Sequence, residues 1–176
     1  MRIETALLAL LLALLAFAAP ARADEVTVGL YAHDIDTPLN LRGFNEGMDF
    51  QLGWRGDRMR ALSFVGSPSP HAFVAVNTAG DAHYAAAGIG WKIGRSVYVR
   101  PGIGLAVHTA DVAPRLPDGR RALGSRVLFA PELALGVQVS DRISIEASLV
   151  HLSNAGLLAD HNPGIDNFGV RLSYRF

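Results

Sequence analysis

Apolar and polar side chains alternate along several stretches of the chain downstream of residue 23. In the last stretch, one series is apolar and aromatic: Phe168, Val170, Leu172, Tyr174 and Phe176. The alternate series is small or polar: Asn167, Gly169, Arg171, Ser173 and Arg175. A period of two is typical of a β-strand. Because the same pattern recurs at 47–55, 126–139 and 143–150, the chain is predicted to be all-β.

Eight strands are predicted from this alternation and from the turn residues between the alternating stretches. They cover 25–34, 46–55, 59–77, 81–93, 96–108, 124–139, 142–153 and 165–176. The third contains Gly66-Ser67-Pro68-Ser69-Pro70, and proline is disfavoured in a paired central strand. The alternative for this segment is a long turn, with the strand starting near His71.

The composition of the two faces indicates which side of the sheet meets lipid. A membrane barrel turns apolar side chains outward and small or polar ones into the lumen, where space is narrow. Glu132 and Glu146 are candidates to pair there with Arg126, Arg171 and Arg175.

The connections between strands fall into two classes of length. Two are tight turns, at Gly94-Arg95 and Ser140-Asp141, and three are long loops, at 35–45, 109–123 and 154–164. With the terminal Phe176, these features favour an eight-stranded antiparallel transmembrane β-barrel of the bacterial outer membrane over a soluble sandwich.

The start of the chain is predicted to be a secretory signal peptide covering residues 1–23. An apolar run ends in Ala21-Arg22-Ala23, so cleavage is expected before Asp24, leaving 24–176 as the barrel.

The chain has no cysteine, which excludes disulfides and thiolate metal sites. Its 16 Lys and Arg balance 16 Asp and Glu, so nothing indicates nucleic acid binding. No metal or cofactor motif is found, and none is expected.

Candidate chemistry lies near the end of the chain. His151 and Ser153 share a strand face, and their series continues from Ile143, so both are predicted to point outward toward lipid. His151 lies about ten residues, or roughly 33 Å, along its strand, near the outer rim. Asp166 begins the outward series of the next strand and is predicted to lie beside them.

A serine hydroxyl needs a base to become a good nucleophile, and a carboxylate orients that base. These residues are therefore candidates for a Ser-His-acid hydrolase. The alternative is that they are ordinary polar residues at a membrane rim. Donors for the oxyanion stay open among Asn154, Asn162 and the backbone N–H groups of 154–156, which include Gly156.

The run His151-x-Ser153-Asn154-Ala155-Gly156, followed by Asn162-Pro163-Gly164-Ile165-Asp166 and the closing strand, resembles the PagL family of lipid A 3-O-deacylases. The resemblance implies an eight-stranded outer-membrane barrel that hydrolyses the ester-linked acyl chain at position 3 of lipid A. It also implies Ser153 as nucleophile, His151 as base and Asp166 as acid.

The chain departs from the family pattern at the acid, where better-known members have Glu. The loop before Asp166 is also one residue longer, which makes Asp160 a rival for the acid role. The expected partners are lipid A or lipopolysaccharide and the outer membrane, and a homodimer is kept as an alternative to a monomer. Two other functions remain open, a non-enzymatic structural or adhesive barrel and a lipid A acyltransferase.

Two further groups of polar residues occur in the long loops. His33, Asp34 and Asp36 follow the first strand, where they could bind a cation or a sugar phosphate, although a solvated loop is the favoured interpretation. The long loop 109–123 contains three arginines, Arg115, Arg120 and Arg121. They either pair with lipid A phosphates or form an ordinary charged loop.

Overall fold

The computed structural model describes residues 23–40, 46–80, 82–112 and 122–176. Ten strands form a single sheet: β1 (Ala23–Ala32), β2 (Met48–Gly56), β3 (Ser69–Asn77), β4 (Tyr84–Gly90), β5 (Ile93–Gly94), β6 (Val97–His108), β7 (Val127–Phe129), β8 (Glu132–Gln138), β9 (Ile143–Leu152) and β10 (Ile165–Arg175). A short 3-10 helix, Arg60–Val65, precedes β3.

The sheet closes on itself as an antiparallel barrel. Consecutive strands pair with one another, except β4 with β5 and β7 with β8, and β1 pairs with β10 and β4 with β6. The segments β4 and β5 both pair with one edge of β6, and β7 and β8 with its other edge. Each of these two couples therefore forms one interrupted strand, so the barrel has eight strands and the predicted fold class is confirmed.

The barrel is apolar outside and polar inside. Large apolar side chains of the outward series stay well exposed, for example Leu52 at 56% and Val170 at 55%. The inward series carries buried Gln51, Ser148 and Arg171. This inversion is the arrangement that a lipid environment requires, and it explains why a water-soluble sandwich is the wrong interpretation of the alternation.

Ion pairs occupy part of the lumen, next to a cluster of buried apolar and aromatic side chains. Glu146, fully buried, accepts hydrogen bonds from Arg55 (3.0 Å), Arg100 (3.0 Å) and Arg171 (2.9 Å). Glu132 pairs with Arg171 as well. A buried carboxylate needs such partners, because desolvation of an unpaired charge is costly.

Two of the predicted lumen partners were wrong. Arg126 lies just before β7, which begins at Val127, so its side chain is not directed into the lumen by the strand. It is exposed, and its guanidinium donates to the backbone carbonyl of Ala110 at 2.7 Å. Arg175 pairs with Glu25 of the neighbouring β1 at 2.8 Å instead of with Glu132 or Glu146.

The third predicted strand was too long, and the alternative start is closer to the structure. Residues 60–65 form the 3-10 helix, and the strand begins at Ser69. Gly66 (φ 88°) and Ser67 (φ 52°) adopt left-handed backbone conformations that a strand cannot contain. The connection after β2 is therefore longer than a tight turn.

The predicted strand 124–139 is also interrupted, at Ala130 and Pro131 between β7 and β8. Proline has no N–H to donate, but the carbonyl of Pro131 accepts the His151 N–H at 3.0 Å, and Phe129 pairs with Ser153. The interruption thus lies directly beside the candidate site.

The predicted signal peptide lies outside the described residues except for Ala23, which begins β1. Within the described part of the chain, no helix has the length and apolar character needed to cross a membrane.

The apolar outward face predicts that a charged residue placed on it lowers the stability of the barrel, by an amount that depends on its depth in the membrane. Leu135 lies midway along β8, whereas Val139 lies at the turn that follows it. Leu135→Arg is expected to lower the free energy of unfolding by about 2–4 kcal/mol, and Val139→Arg by about 0–1 kcal/mol. Urea titration in phospholipid vesicles, followed by heat-modifiable gel mobility, measures both. Equal losses would contradict the placement of Leu135 at mid-membrane.

Candidate active site

The strand register brings His151 and Asp166 together. They are direct cross-strand partners on β9 and β10, and His151 Nδ1 lies 2.7 Å from Asp166 Oδ1. Both belong to outward series, so the pair lies on the lipid-facing side at the outer end of the barrel. The carboxylate is fully buried, whereas 17% of the imidazole stays exposed. A carboxylate on Nδ1 leaves Nε2 of the neutral ring as the proton acceptor.

Ser153 lies two residues beyond His151 on the same face. It forms an isolated bridge with Phe129, with N–H to carbonyl distances of 2.8 and 3.1 Å. Among the described residues, no hydrogen bond joins its hydroxyl to the imidazole of His151. Such contacts are often long without substrate and tighten in the reactive complex. The structure therefore places all three predicted site residues on one face and joins two of them directly.

A tight turn shapes the loop after the serine. Ala155 (φ 56°) and Gly156 (φ 67°) are both left-handed, and the Leu157 N–H donates to the Asn154 carbonyl at 3.0 Å. These features define a type I′ turn. The Asn154 side chain reinforces it, because its Oδ1 accepts the Gly156 N–H at 2.9 Å.

The same contacts narrow the choice of oxyanion donors. The side-chain amide of Asn154 donates to the carbonyls of Leu123 (3.0 Å) and His161 (2.7 Å), and its backbone N–H donates to Asn162 Oδ1 at 2.9 Å. Asn154 is thus occupied with holding the loop. The Gly156 N–H is occupied too.

Two donor groups are left for a substrate. In the described part of the chain, neither the Asn162 Nδ2 group nor the Ala155 N–H has a recorded hydrogen-bond partner. Since Asn162 Oδ1 is fixed by Asn154, the orientation of its amide is fixed as well.

Gly164 supports the imidazole from the side of β10. Its φ is +69°, and a Cβ placed on it would lie 3.1 Å from Cε1 and 3.7 Å from Nε2 of His151. A larger residue would therefore press on the proton-accepting edge of the ring. This glycine lies in the Asn162–Asp166 sequence motif, but no role was predicted for it.

Thr37 was missed altogether. Its hydroxyl donates a hydrogen bond to Asp166 Oδ2, although 129 positions separate the two residues. The signal was weak, because only the pairing of β1 with β10 brings the loop after β1 to this end of β10.

The other polar groups considered from the sequence do not join the site. Asp160 is exposed, and it is Asp166 that binds the His151 ring. His33 is buried against Asp49 at 2.9 Å, Asp34 is bound by Asn40, and no metal-binding cluster occurs among the described residues. The loop arginines, Arg115, Arg120 and Arg121, lie outside the described residues.

The chain matches the model of a known protein family over most of its length. The model described as lipid A 3-O-deacylase (PagL) matches residues 39–175. The chain belongs to this family. The PagL-family assignment and the outer-membrane location predicted from the sequence are thereby confirmed. Because members are described as lipid A deacylases, the assignment implies an ester hydrolase.

Solved structures support the same fold. The crystal structure of the outer membrane enzyme PagL has a TM-score of 0.62 and 22% identity, covering 86% of this PagL-family chain and 99% of that one. Neisserial surface protein A has a TM-score of 0.57 and 9% identity, covering 89% and 99%. At these identities the likeness concerns the fold. No curated protein sequence matches the chain.

Gly164 and Gly156 offer a matched test of the imidazole position. Both are left-handed, but a Cβ on Gly156 would meet nothing within 4 Å. Alanine at either position costs about 1 kcal/mol of backbone strain, whereas only Gly164→Ala displaces the ring. Deacylation by Gly164→Ala is expected to fall about 10- to 100-fold and by Gly156→Ala far less. Similar losses in both variants would contradict the contact with the ring.

The identity of the acid is tested by two conservative substitutions. Asp166→Asn removes the charge that faces His151 Nδ1, whereas Asp160→Asn changes an exposed loop residue. We expect a rate loss of at least about 100-fold for Asp166→Asn and little change for Asp160→Asn, measured on purified lipid A. The reverse order would assign the acid to Asp160.

Proposed function

We propose that this chain removes the ester-linked acyl chain at position 3 of lipid A by a Ser-His-Asp mechanism. The observation that carries the proposal is the His151–Asp166 hydrogen bond on the lipid-facing side of the barrel. Polar groups placed there cost free energy unless they are paired or serve a function. A pair that leaves an imidazole nitrogen beside a serine serves the chemistry that the family description names.

The residues present account for each proton in the reaction. Ser153 Oγ attacks the acyl carbonyl carbon while His151 Nε2 takes its proton. Asp166 holds the ring in the required tautomer and stabilises the imidazolium. As the tetrahedral intermediate collapses, the bond to the sugar oxygen breaks and His151 returns the proton to that oxygen. Water, activated by the same imidazole, then hydrolyses the acyl–Ser153 ester.

The negative charge of the intermediate needs donors, and we assign them to Asn162 Nδ2 and the Ala155 N–H. These groups support the assignment because they remain uncommitted while Asn154 and Gly156 hold the loop. One such donor is typically worth about 100- to 1,000-fold in rate.

The surroundings of Ser153 favour an acyl substrate. Cross-strand partners share a sheet face, and the outward row that continues from Ser153 runs through Phe129, Leu105 and Ala87. Leu158 from the loop after the site packs against this row. An acyl chain of a lipid in the outer leaflet would lie along this apolar surface with its ester next to the serine.

The alternatives from the sequence remain distinguishable. A structural or adhesive barrel has no need of a buried carboxylate paired with an outward histidine, and an acyltransferase would increase the mass of lipid A. All three site residues come from one chain, so the homodimer alternative is not required by the catalytic geometry.

Removal of the nucleophile provides the direct test. Mass spectrometry of lipid A from cells expressing the wild-type chain should show loss of one acyl group. Ser153→Ala and His151→Ala should leave heat-modifiable, folded barrels that give unmodified lipid A. A shortened species in the Ser153→Ala cells would refute the mechanism, and a heavier species with the wild type would indicate acyl transfer.

A further inference from the structure

Both carboxylate oxygens of Asp166 are engaged. Oδ1 accepts from His151 Nδ1 at 2.7 Å, and Oδ2 accepts from the hydroxyl of Thr37 in the loop after β1. Thr37 and His151 therefore bind different oxygens of the same carboxylate. Thr37 thus contacts the acid without contacting the base.

The hydroxyl of Thr37 has a fixed orientation. The Leu39 N–H donates to its Oγ1 at 3.0 Å, and the Thr37 N–H donates to Asn40 Oδ1 at 3.3 Å. Because Oγ1 already accepts a hydrogen bond, its own proton is directed to the remaining neighbour, the carboxylate of Asp166. The local turn therefore presents a donor that is oriented in advance.

Residues 33–40, here called the clamp segment, are attached to β10 at two further points. The Ile35 N–H donates to the backbone carbonyl of Asp166 at 2.8 Å, and the Asp34 N–H donates to Asn167 Oδ1 at 3.0 Å. These bonds hold the clamp segment against the backbone of Asp166 and the side chain of Asn167. The distance from Thr37 to the carboxylate is therefore set by the strand, not by a freely moving loop.

The clamp segment explains why the acid is buried. Asp166 is fully buried, although Phe168 and Val170 of the same outward series are 48% and 55% exposed. A buried carboxylate loses the water that would otherwise solvate it, so donors from the protein must replace that water. In the described chain, its recorded side-chain partners are His151 and Thr37.

We propose that Thr37 is a positioning residue of the hydrolase, acting through Asp166 to hold His151 in the reactive orientation. This inference rests on the proposed Ser-His-Asp mechanism. The aspartate is one methylene shorter than the glutamate expected from the family resemblance, so its reach to the imidazole depends on how its backbone and second oxygen are held. The hydrogen bond from Thr37 fixes the second oxygen.

The test compares Thr37→Val, which keeps the shape and removes the hydroxyl, with Thr37→Ser, which keeps the hydroxyl. Steady-state deacylation of purified lipid A in detergent micelles should show kcat lowered about 10- to 100-fold for Thr37→Val, with KM changed less than about twofold. Thr37→Ser should retain most of the activity. Thr37→Ala, which removes the same hydroxyl, carries the same expectation should the valine variant fail to fold.

Thr109→Val is the matched control. The hydroxyl of Thr109 accepts the His83 N–H at 3.0 Å just after β6, and among the described residues it forms no hydrogen bond with His151, Ser153 or Asp166. The same chemical change there should leave kcat within about twofold, since surface substitutions away from special features have small effects. A kcat loss in Thr109→Val as large as in Thr37→Val would overturn the proposal, because any disturbed loop would then account for both.

A double-mutant cycle separates this inference from the mechanism on which it rests. If Thr37 acts through Asp166, Thr37→Val should add little to the loss in an Asp166→Asn background. Fully additive losses would overturn the positioning role. An impaired Asp166→Asn with an unimpaired Thr37→Val would leave the mechanism standing and refute the role of Thr37. A fully active Asp166→Asn would refute both.

Discussion

The register between β9 and β10 is the constraint on which the site depends. Glu146 and Arg171 are cross-strand partners inside the lumen, and His151 and Asp166, five positions later on β9 and five earlier on β10, are partners outside it. Side chains alternate faces, so an odd spacing puts the two pairs on opposite sides of the same ladder. A slip of one residue would bury the apolar series and break both pairs at once. The lumen ion pair and the outward pair therefore specify the same register.

Barrel closure adds the second element of the site. Because β1 pairs with β10, the loop after β1 meets the start of β10, and a segment from the beginning of the chain covers a residue near its end. On the other side of the site, Phe129 and Pro131 at the interruption between β7 and β8 bind the backbone of Ser153 and His151. A polar pair can exist on a lipid-facing surface here because loops and strand ends bury the carboxylate while part of the imidazole stays exposed.

Local alternation was sufficient to predict the barrel and the outward direction of His151, Ser153 and Asp166, since both follow from a period of two. The lumen contacts were predicted only in part, since Arg171 does pair with Glu132 and Glu146 but the other partners were not foreseen. Glu146 binds Arg55 and Arg100 from strands that are not its neighbours, and barrel curvature decides such partners. Thr37 was missed for a related reason, because its contact requires closure of the sheet.

Because the site opens toward lipid, the rate of the proposed reaction would depend on the concentration of substrate within the membrane surface. Substrate would arrive by lateral diffusion within a leaflet, and a released fatty acid would return to that leaflet without crossing the lumen. The relevant concentration is then the mole fraction of lipid A in the surface, not its amount per volume. Dilution with inert lipid or detergent would slow turnover even at constant bulk concentration, so rates from different membranes are comparable only at equal surface density.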